Sequence, residues 1–300
     1  MLRYIISLLL VSFLLSNNYT QDFSFNEKAL AKKLKIKSKS MYVDLYSNDT
    51  LYYSSNERDL NESCLFDSIG NRIEDYYMSF QGGFYKLNYF YDALGRKVKV
   101  ETKYYKGDSL SCIDVFEYNE CGDLIYEIRK GAWGSIRYVI KYLYNDKHQL
   151  IKKINYEKST IEDEYIYDEH DNLIETIEHS SDGTHHYKHL ITYDDTGRII
   201  EAVNLNSDGT VSRVDNFKYN YNGMVIENKS SWKDVKLDDR ITFYDYDSLS
   251  RIIKFVEIEG KQEIFYTKYF FNESGLLIEK RHLSKDNTIA SIYRYVYEYY

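Results

Sequence analysis

The stretch Tyr193–Glu201, YDDTGRIIE in one-letter code, decides the fold of this 300-residue chain. It reads as an aromatic residue, Asp or Asn, two variable positions, Gly, a polar residue, two aliphatic residues and a charge. Copies of this phrase recur every 23 to 27 residues, and so steady a period indicates a repeat architecture. The aromatic positions of the phrase are Phe66, Tyr91, Tyr118, Tyr144, Tyr167, Tyr193, Tyr219, Tyr246, Phe271 and Tyr297.

Each copy of the phrase predicts one β-hairpin. A second large apolar residue stands two positions before the aromatic, as Phe217 does before Tyr219, so both side chains share one face of a strand. The Asp or Asn accepts backbone N–H groups in an Asx-type turn, and the Gly supplies a positive φ. Where His148, Asp171 and Ser250 replace this Gly, the sequence predicts a different turn. The structural positions of the repeat are Tyr91, Asp92, Gly95, Tyr118, Gly122, Tyr167, Asp168, Tyr193, Asp194, Gly197, Tyr219, Gly223, Tyr246, Asp247 and Gly275.

A second turn follows each phrase aromatic by 16 residues, most clearly at Gly183 and Gly209. Two strands in each of nine full copies make about eighteen strands, and an open twisted sheet rarely exceeds about ten strands without curling. The predicted fold is therefore all-β: antiparallel hairpins of about 26 residues each in one coiled meander sheet, a spiral or a wide partial barrel.

Three segments follow from the patterning of the chain. Residues 1–20 contain Arg3 and the apolar run Tyr4–Leu15, which would make a helix of about 18 Å, too short for a bilayer core of about 30 Å. This predicts a signal peptide that is cleaved near Thr20, leaving no integral membrane span. Residues 21–40 form a lead-in, either a short helix or an edge strand, and residues 41–300 form the repeat array. The predicted location is the periplasm, the cell surface or the medium.

The net charge bears on which partners the protein can bind, and the cysteine count bears on disulfide pairing. The net charge of −8 argues against nucleic acid, whose recognition depends on Lys and Arg. The odd cysteine count (Cys64, Cys112 and Cys121) leaves at least one thiol unpaired, and the spacing allows but does not require a Cys112–Cys121 pair.

The segments Tyr89–Arg96 and Tyr193–Ile200 resemble the YD repeat, also called the RHS repeat, and the resemblance covers roughly residues 41–300. It implies a β-sheet spiral. In large members of the family the spiral is a hollow shell around a toxic domain; other members are cell-surface proteins whose repeats are presumed to bind carbohydrate. The shell proteins carry a Pro-containing core motif, whereas this chain has no Pro, so toxin delivery by this chain alone is not expected. The chain is also similar to small exported repeat proteins of Bacteroidetes.

No stretch of the sequence predicts catalysis. His185 and His189 would lie about 13 Å apart along one strand, too far to bind one metal ion together, and His179 and His186 complete this cluster. No Gly-x-Ser-x-Gly elbow occurs. The acidic residues Glu175, Glu201, Glu227 and Glu279 all stand at one repeat offset, which is typical of a solvated strand face. We therefore predict no catalytic residue, no metal site and no cofactor.

The aromatic residues permit two interpretations. The tyrosine rows form either a packed core or a platform for stacking sugars, and Trp133 and Trp232, near second turns, are the candidate binding residues. An outer-membrane barrel is a further alternative, disfavoured by the charge that follows the two aliphatic residues in nearly every return strand. We predict an exported, non-enzymatic structural or adhesive module of the cell envelope. An envelope glycan or a surface protein is its expected partner, and carbohydrate binding through exposed aromatics is the main alternative.

Overall fold

The computed structural model describes residues 27–47, 50–54, 62–78, 84–104, 109–156, 160–180, 185–233, 237–260 and 262–300. The predicted signal peptide lies outside these residues. Within them, one α-helix, α1 (27–34), precedes twenty-one β-strands. The strands are β1 (Ile36–Ser47), β2 (Thr50–Ser54), β3 (Glu62–Phe66), β4 (Arg72–Met78), β5 (Phe84–Tyr91), β6 (Lys97–Tyr104), β7 (Ser109–Tyr118), β8 (Leu124–Gly131), β9 (Ile136–Tyr144), β10 (Leu150–Asn155), β11 (Thr160–Tyr167), β12 (Leu173–His179), β13 (His185–Tyr193), β14 (Ile199–Asn206), β15 (Val211–Tyr219), β16 (Val225–Trp232), β17 (Arg240–Tyr246), β18 (Ile252–Glu259), β19 (Gln262–Phe271), β20 (Leu277–Ser284) and β21 (Ile289–Tyr299).

All of these strands belong to one antiparallel sheet that closes on itself. Consecutive strands pair from β3 to β21, and β1 pairs with both β3 and β21. At this seam the backbone N–H of Tyr300 donates to Lys35 O (2.9 Å), and Ser38 Oγ donates to Glu298 Oε2 (3.0 Å). The expected open, coiled meander is therefore wrong, and the sheet is closed as in a β-barrel. Closure satisfies the backbone groups that the two edges of an open sheet would leave unpaired.

The strand count exceeds the expected eighteen because both ends of the array also form strands. β1 begins at Ile36, within the predicted lead-in, and β21 contains the truncated last copy of the phrase. By their internal contacts the residues divide into two compact units. Of the described residues, those within 27–43, 62–114 and 294–300 form unit 1, and those within 44–54 and 115–293 form unit 2.

The Asp of the phrase organises a five-residue turn. At Asp194, the backbone N–H donates to Arg198 O (2.8 Å), and Gly197 N–H donates back to Asp194 O (2.9 Å). The carboxylate Oδ1 accepts the N–H groups of Thr196 and Arg198, while Oδ2 accepts Arg198 Nε at 2.7 Å. The same Asp–Arg pair closes the turns that begin at Asp92 and Asp247. One carboxylate thus satisfies both backbone and side-chain donors of its own turn.

The copies without glycine make this turn as well. His148, Asp171 and Ser250 have φ of 61°, 66° and 61°, and each donates its N–H to the first residue of the turn, as the glycines do. The predicted change of turn is therefore wrong at these positions. The closing hydrogen bonds hold these residues in the left-handed region despite the steric cost of a Cβ there, about 1–2 kcal/mol.

Tyrosine hydroxyls join six of the repeats to the one before. Tyr219 OH donates to Ile199 O at 2.6 Å, the carbonyl of the first residue of the preceding return strand. Because these hydroxyls are bonded to the backbone, the phrase tyrosines are structural. The other bonds of this ladder are Tyr91 to Arg72 O, Tyr144 to Leu124 O, Tyr167 to Leu150 O, Tyr193 to Leu173 O and Tyr246 to Val225 O.

The two faces of the sheet differ in character. The tyrosine face carries the phrase aromatics and, two positions earlier, buried apolar residues such as Ile191 and Phe217, each 5% exposed. The charged face, on the alternate residues, carries ion pairs across strands, for example Lys188 with Glu175 at 2.8 Å. Buried apolar residues lie mainly on the tyrosine face, while Tyr266, 4% exposed, is a buried residue of the charged face.

Helix α1 packs against the first repeat turn in unit 1. Ala31, in α1, and Phe66, in β3, are 1% and 3% exposed. A Cβ at Gly70 would lie 2.4 Å from Lys28 O in the helix. Gly70 is therefore required for close approach as well as for its φ of 84°.

We expect Gly70→Ala to destabilise the protein by at least about 2 kcal/mol more than Gly95→Ala. Both substitutions place a Cβ at positive φ, at a cost of about 1 kcal/mol, but a Cβ at Gly95 meets nothing within 4 Å. The additional cost is that of forcing α1 away from the turn. Urea unfolding of both variants measures the difference, and equal costs would show that α1 does not pack closely on this turn.

Candidate functional site

Unit 1 contains a cavity of about 130 Å³ at one end of β1, β3, β4 and β21. We call it the Arg72 cavity. Its lining combines charged groups with tyrosine rings and one thiol. The lining residues are Lys39, Met41, Glu62, Ser63, Cys64, Arg72, Asp75, Tyr76, Tyr77 and Tyr295.

A charged network forms one wall of the Arg72 cavity. Arg72 donates to Glu27 Oε2 at 2.9 Å and to Asp75 Oδ2 at 3.1 Å, and Lys39 Nζ donates to Glu27 Oε1 at 2.8 Å. Tyr89 OH also donates to Asp75 Oδ2, at 2.6 Å. Burial alone would raise the pKa of Glu27, but the charges of Lys39 and Arg72 outweigh it and lower that pKa. The network ties α1 to β1 and β4.

The cavity leaves one carboxylate oxygen open. Asp75 Oδ1 is buried and has no hydrogen-bond partner among the described residues. Burial raises the pKa of the Cys64 thiol to about 11, so this thiol stays protonated at neutral pH and is a poor nucleophile. These groups equip the cavity to bind a small polar molecule through an acceptor, two cations and aromatic rings.

In unit 2, a row of polar side chains crosses the tyrosine face. Thr176, His189, Asn204, Arg213 and Trp232 stand directly opposite one another on the successive strands β12 to β16. We call them the polar row. The first four are only 2%, 2%, 3% and 8% exposed. Burying a polar group costs free energy unless the group is hydrogen-bonded. The cost of this row therefore depends on the hydrogen-bond partners of its side chains.

His189 is the most enclosed ionisable group of the polar row. Its Nδ1 lies 2.8 Å from Asn204 Oδ1, an atom that only accepts, so Nδ1 carries the proton. Its Nε2 lies 3.4 Å from Glu178 Oε1. Burial lowers the pKa of His189, but the interactions with Glu178 and Asn204 and the charge of Asp163 outweigh burial and raise it above its usual value.

Arg213 is bound to a carboxylate beside the row. Its Nε and NH2 donate to Asp215 Oδ1 at 3.0 and 2.6 Å, and Ser230 Oγ donates to the same atom at 2.5 Å. Asp215 is 0% exposed, and its Oδ2 has no hydrogen-bond partner within the described part of the chain. Burial raises the pKa of Asp215, against the opposing effects of Arg213 and Ser230.

The two predicted binding residues lie in different surroundings. Trp232 is half-buried at the end of the polar row, with Arg213 at 5.2 Å and Arg240 at 5.6 Å from its ring, and Arg240 is ion-paired with Glu257. Trp133 is 97% exposed at the β8–β9 turn. At about 4.8 Å per strand, the seven strand steps from β9 to β16 separate them by about 34 Å along the sheet. They do not form one site.

Trp133 stands on an exposed turn near two other exposed apolar residues. In its turn, Gly131 N–H donates to Ser135 O (2.8 Å) and Gly134 N–H donates to Gly131 O (2.9 Å). At the same end of the neighbouring strands, Ile136 is 54% exposed and Tyr156 is 57% exposed. We call Trp133, Ile136 and Tyr156 the Trp133 tip.

The polar row was not predicted from the sequence, although the sequence carries a signal for buried polar residues on this face, among them His189. The fourth residue before a phrase aromatic shares the face of that aromatic. At this position Asp114, His189, Asp215 and Thr267 are 6%, 2%, 0% and 0% exposed. Polar residues at a position that must face the core mark buried polar groups.

The sequence predicts no metal site and leaves a Cys112–Cys121 pair open. Among the described residues, no group of three or more His, Cys, Asp or Glu side chains is arranged to hold a metal ion. The side chains of His185 and His186 lie outside the described part, and His179 Nε2 lies 2.9 Å from Glu164 Oε1. Cys64, Cys112 and Cys121 are all free thiols.

No helix in the described segments is both long enough and apolar enough to cross a membrane.

The described residues thus form an all-β protein with a closed antiparallel sheet. No protein-family model matches the chain, and no curated protein matches it. Solved structures with a similar arrangement include the Photorhabdus luminescens Tc holotoxin pore (13% identity, TM-score 0.31) and a TcdB2–TccC3 complex (14%, 0.35). They also include a porin-like protein from Bacteroides uniformis (10%, 0.36).

These similar structures differ in how much of their own length the similarity covers. The similarity covers 83% of this chain in both toxin structures but only 16% and 17% of the toxin chains. This chain therefore spans about a sixth of their length. With the porin-like protein it covers 88% of this chain and 98% of that chain.

We expect Trp232→Ala to destabilise the protein by about 2 kcal/mol, because it removes a half-buried ring and two cation–π contacts. Trp133→Ala should change stability by less than about 0.5 kcal/mol, since an exposed turn side chain has few contacts to lose. Chemical denaturation measures both values. Equal effects would contradict the assignment of Trp232 to the interior and Trp133 to the surface.

His189 should make stability depend on pH. Its raised pKa means that the folded state binds a proton more tightly than the unfolded state. The resulting stabilisation is present below the unfolded pKa of about 6.5 and is lost as the pH rises through the folded pKa. We expect the cost of His189→Gln in unfolding free energy to be larger at pH 5.5 than at pH 8.5.

The control is His170→Gln, because the His170 side chain is 77% exposed on a turn. Its effect should be small and the same at both pH values. A pH-independent cost for His189→Gln would show that the Glu178 contact does not bind the proton.

Proposed function

We propose that this protein is an exported, non-enzymatic binding module that uses its closed sheet as a rigid scaffold for the Trp133 tip. The observation that carries the proposal is the 97% exposure of Trp133 on a turn closed by two hydrogen bonds. The turn backbone is fixed, and a Trp side chain has only two χ angles to order on binding; Trp is also enriched among residues that dominate interface energies.

The tyrosine rows support a scaffold better than a sugar platform. Six phrase tyrosines donate their hydroxyl to the backbone of the preceding repeat. A stacking platform needs ring faces open to the ligand, whereas these rings are half-buried and fixed by the ladder. Carbohydrate binding therefore stays an alternative through the Trp133 tip or the Arg72 cavity, and not through the rows.

The charged face favours an aqueous location over an outer-membrane one. Sheet closure is what a membrane barrel also requires. In unit 2, however, the pairs Lys152–Glu164, Lys188–Glu175 and Lys218–Glu227 cross neighbouring strands at 3.0, 2.8 and 2.9 Å. A lysine near the middle of a bilayer costs about 2–4 kcal/mol. We propose the periplasm, the cell surface or the medium as its location.

The expected partner is a surface protein or an envelope glycan. The acidic net charge of −8 disfavours nucleic acid. The role of a toxin-shell fragment is less favoured, because this chain corresponds to about a sixth of the toxin chains it is similar to. We propose no catalytic role for the polar row, which stabilises the interior.

Binding of residues 21–300 to arrays of envelope glycans and surface proteins tests the proposal. We expect saturable binding without turnover of the ligand, and Trp133→Ala should weaken it at least about tenfold, as loss of a central aromatic contact does. Tyr221→Ala is the matched control, because Tyr221 is 96% exposed on a turn outside the Trp133 tip. Equal binding by wild type and Trp133→Ala would refute the role of the tip, and ligand turnover would refute the non-enzymatic assignment.

A further inference from the structure

Part of the charged face of unit 2, from β10 to β16, follows a rule that fails on β18 to β20. On β10 to β16, lysines lie beside glutamates of the neighbouring strand, as in the three Lys–Glu pairs above. Opposite charges facing each other across strands stabilise a sheet, and like charges destabilise it. This alternation keeps the face neutral over those strands.

On β18 to β20 the alternation gives way to a row of cations. Lys254 stands directly opposite Lys268, and Lys268 stands directly opposite Arg281. We call these three residues the cationic row. Departures from a local rule that stabilises the fold are expected at functional sites. The row is also unusual in a chain with a net charge of −8.

Two of the three cations have no acidic partner. Arg281 is paired with Glu279, on its own strand. Neither Lys254 nor Lys268 has a carboxylate oxygen within 4.0 Å among the residues for which side chains are described. Asp245, directly opposite Lys254, is exposed and does not reach it. The two ammonium groups are therefore available to an external anion.

A buried ring holds the two lysines in place. Tyr266 lies two residues before Lys268 on the same face and is only 4% exposed. The Nζ atoms of Lys254 and Lys268 each lie 5.5 Å from the centroid of this ring. Both lysines are half-buried, so their aliphatic stems cover Tyr266 while their charges stay at the surface. Such packing reduces the side-chain entropy that binding would otherwise remove.

We propose that the cationic row binds a phosphate monoester group. Directly opposite residues have Cβ atoms about 5 Å apart, which places the ammonium groups of Lys254 and Lys268 within reach of the oxygens of one tetrahedral anion. A dianionic phosphate matches two unpaired ammonium groups in charge and can accept from both. Arg281, next in the row, offers a guanidinium to an oxygen that the lysines leave open. The site lies apart from the Trp133 tip and does not depend on the proposed function.

Binding to residues 21–300 tests the proposal with two probes that carry the same group. The first is inorganic phosphate, followed by calorimetry in a low-salt buffer that contains no other multivalent anion. The second is vesicles that contain phosphatidic acid, with phosphatidylcholine vesicles as the blank. Binding of phosphate alone assigns a soluble monoester, and binding of the vesicles as well assigns a lipid headgroup. Both outcomes support the site.

Variants locate the binding. The double variant Lys254→Gln with Lys268→Gln should weaken phosphate binding at least about tenfold, because it removes two charge-assisted hydrogen bonds. Lys188→Gln is the matched control, since that lysine lies on the same face but is paired with Glu175. Equal weakening by the control, or no binding of either probe by the folded wild-type protein, would overturn the proposal.

A third variant separates binding from folding. Lys268→Glu replaces the repulsion with a Lys–Glu pair across the strands, like the pairs on the rest of the face. We expect it to raise the midpoint of urea unfolding while abolishing phosphate binding. A variant that is both stabilised and still binds phosphate would place the anion elsewhere.

Discussion

The hydrogen bond that six phrase tyrosines donate to the backbone of the preceding repeat is the interaction on which this structure depends. Tyr219 OH to Ile199 O, at 2.6 Å, is one example of six. The bond fixes the distance between one hairpin and the next at the end where each hairpin turns. Because the acceptor is a main-chain atom, the following residues can vary without breaking it. A long meander thereby keeps one register although its repeats share few identical residues.

The repeat turn begins directly after the phrase tyrosine. The next residue, Asp or Asn, accepts the N–H groups of its own turn, and in three copies it also binds the Arg four positions later. The ladder positions the hairpin, and the Asx turn reverses it. This division explains why His148, Asp171 and Ser250 adopt positive φ where glycine is expected. The combined free energy of several hydrogen bonds in the turn exceeds the steric cost of a positive φ at a single residue.

The period, the hairpins and the turn chemistry could be predicted from the sequence because each rests on residues within about five positions of one another. Closure could not be predicted in that way. The contact of Ser38 with Glu298 joins residues 260 positions apart. No local sequence pattern in either strand predicts that the two strands pair. Whether a twisted sheet of about twenty strands remains open or closes depends on the twist accumulated over all of its strands.

The candidate sites, too, could be predicted from local sequence only in part. Trp133 and Trp232 are equally plausible binding residues in the sequence, but only the structure shows that one is exposed and that the other lies between two guanidinium groups. The polar row depends on register: His189 and Arg213 become neighbours of Asn204 only when the strands pair as they do. Buried polar groups give a sheet little net stability, but they strongly disfavour any other register, because a slip would leave them unpaired.

In a repeat protein the repeated positions build the scaffold, so individual function must come from the positions where copies differ. The polar row and the cationic row are two such places, on opposite faces of unit 2. On the tyrosine face, Asp215 and His189 occupy a position where other copies place Ile140 or Leu87. His189 is bound by Asn204 of the neighbouring strand, and Asp215 by Arg213 of its own strand and Ser230 of the next. On the charged face, Lys254 and Lys268 meet without a carboxylate between them. The first departure is partly compensated within the fold, by the bonds of His189 to Asn204 and of Asp215 to Arg213 and Ser230. The second has no carboxylate partner among the described side chains, and a like-charge contact beside strands that carry cross-strand Lys–Glu pairs is consistent with a ligand that supplies the missing negative charge.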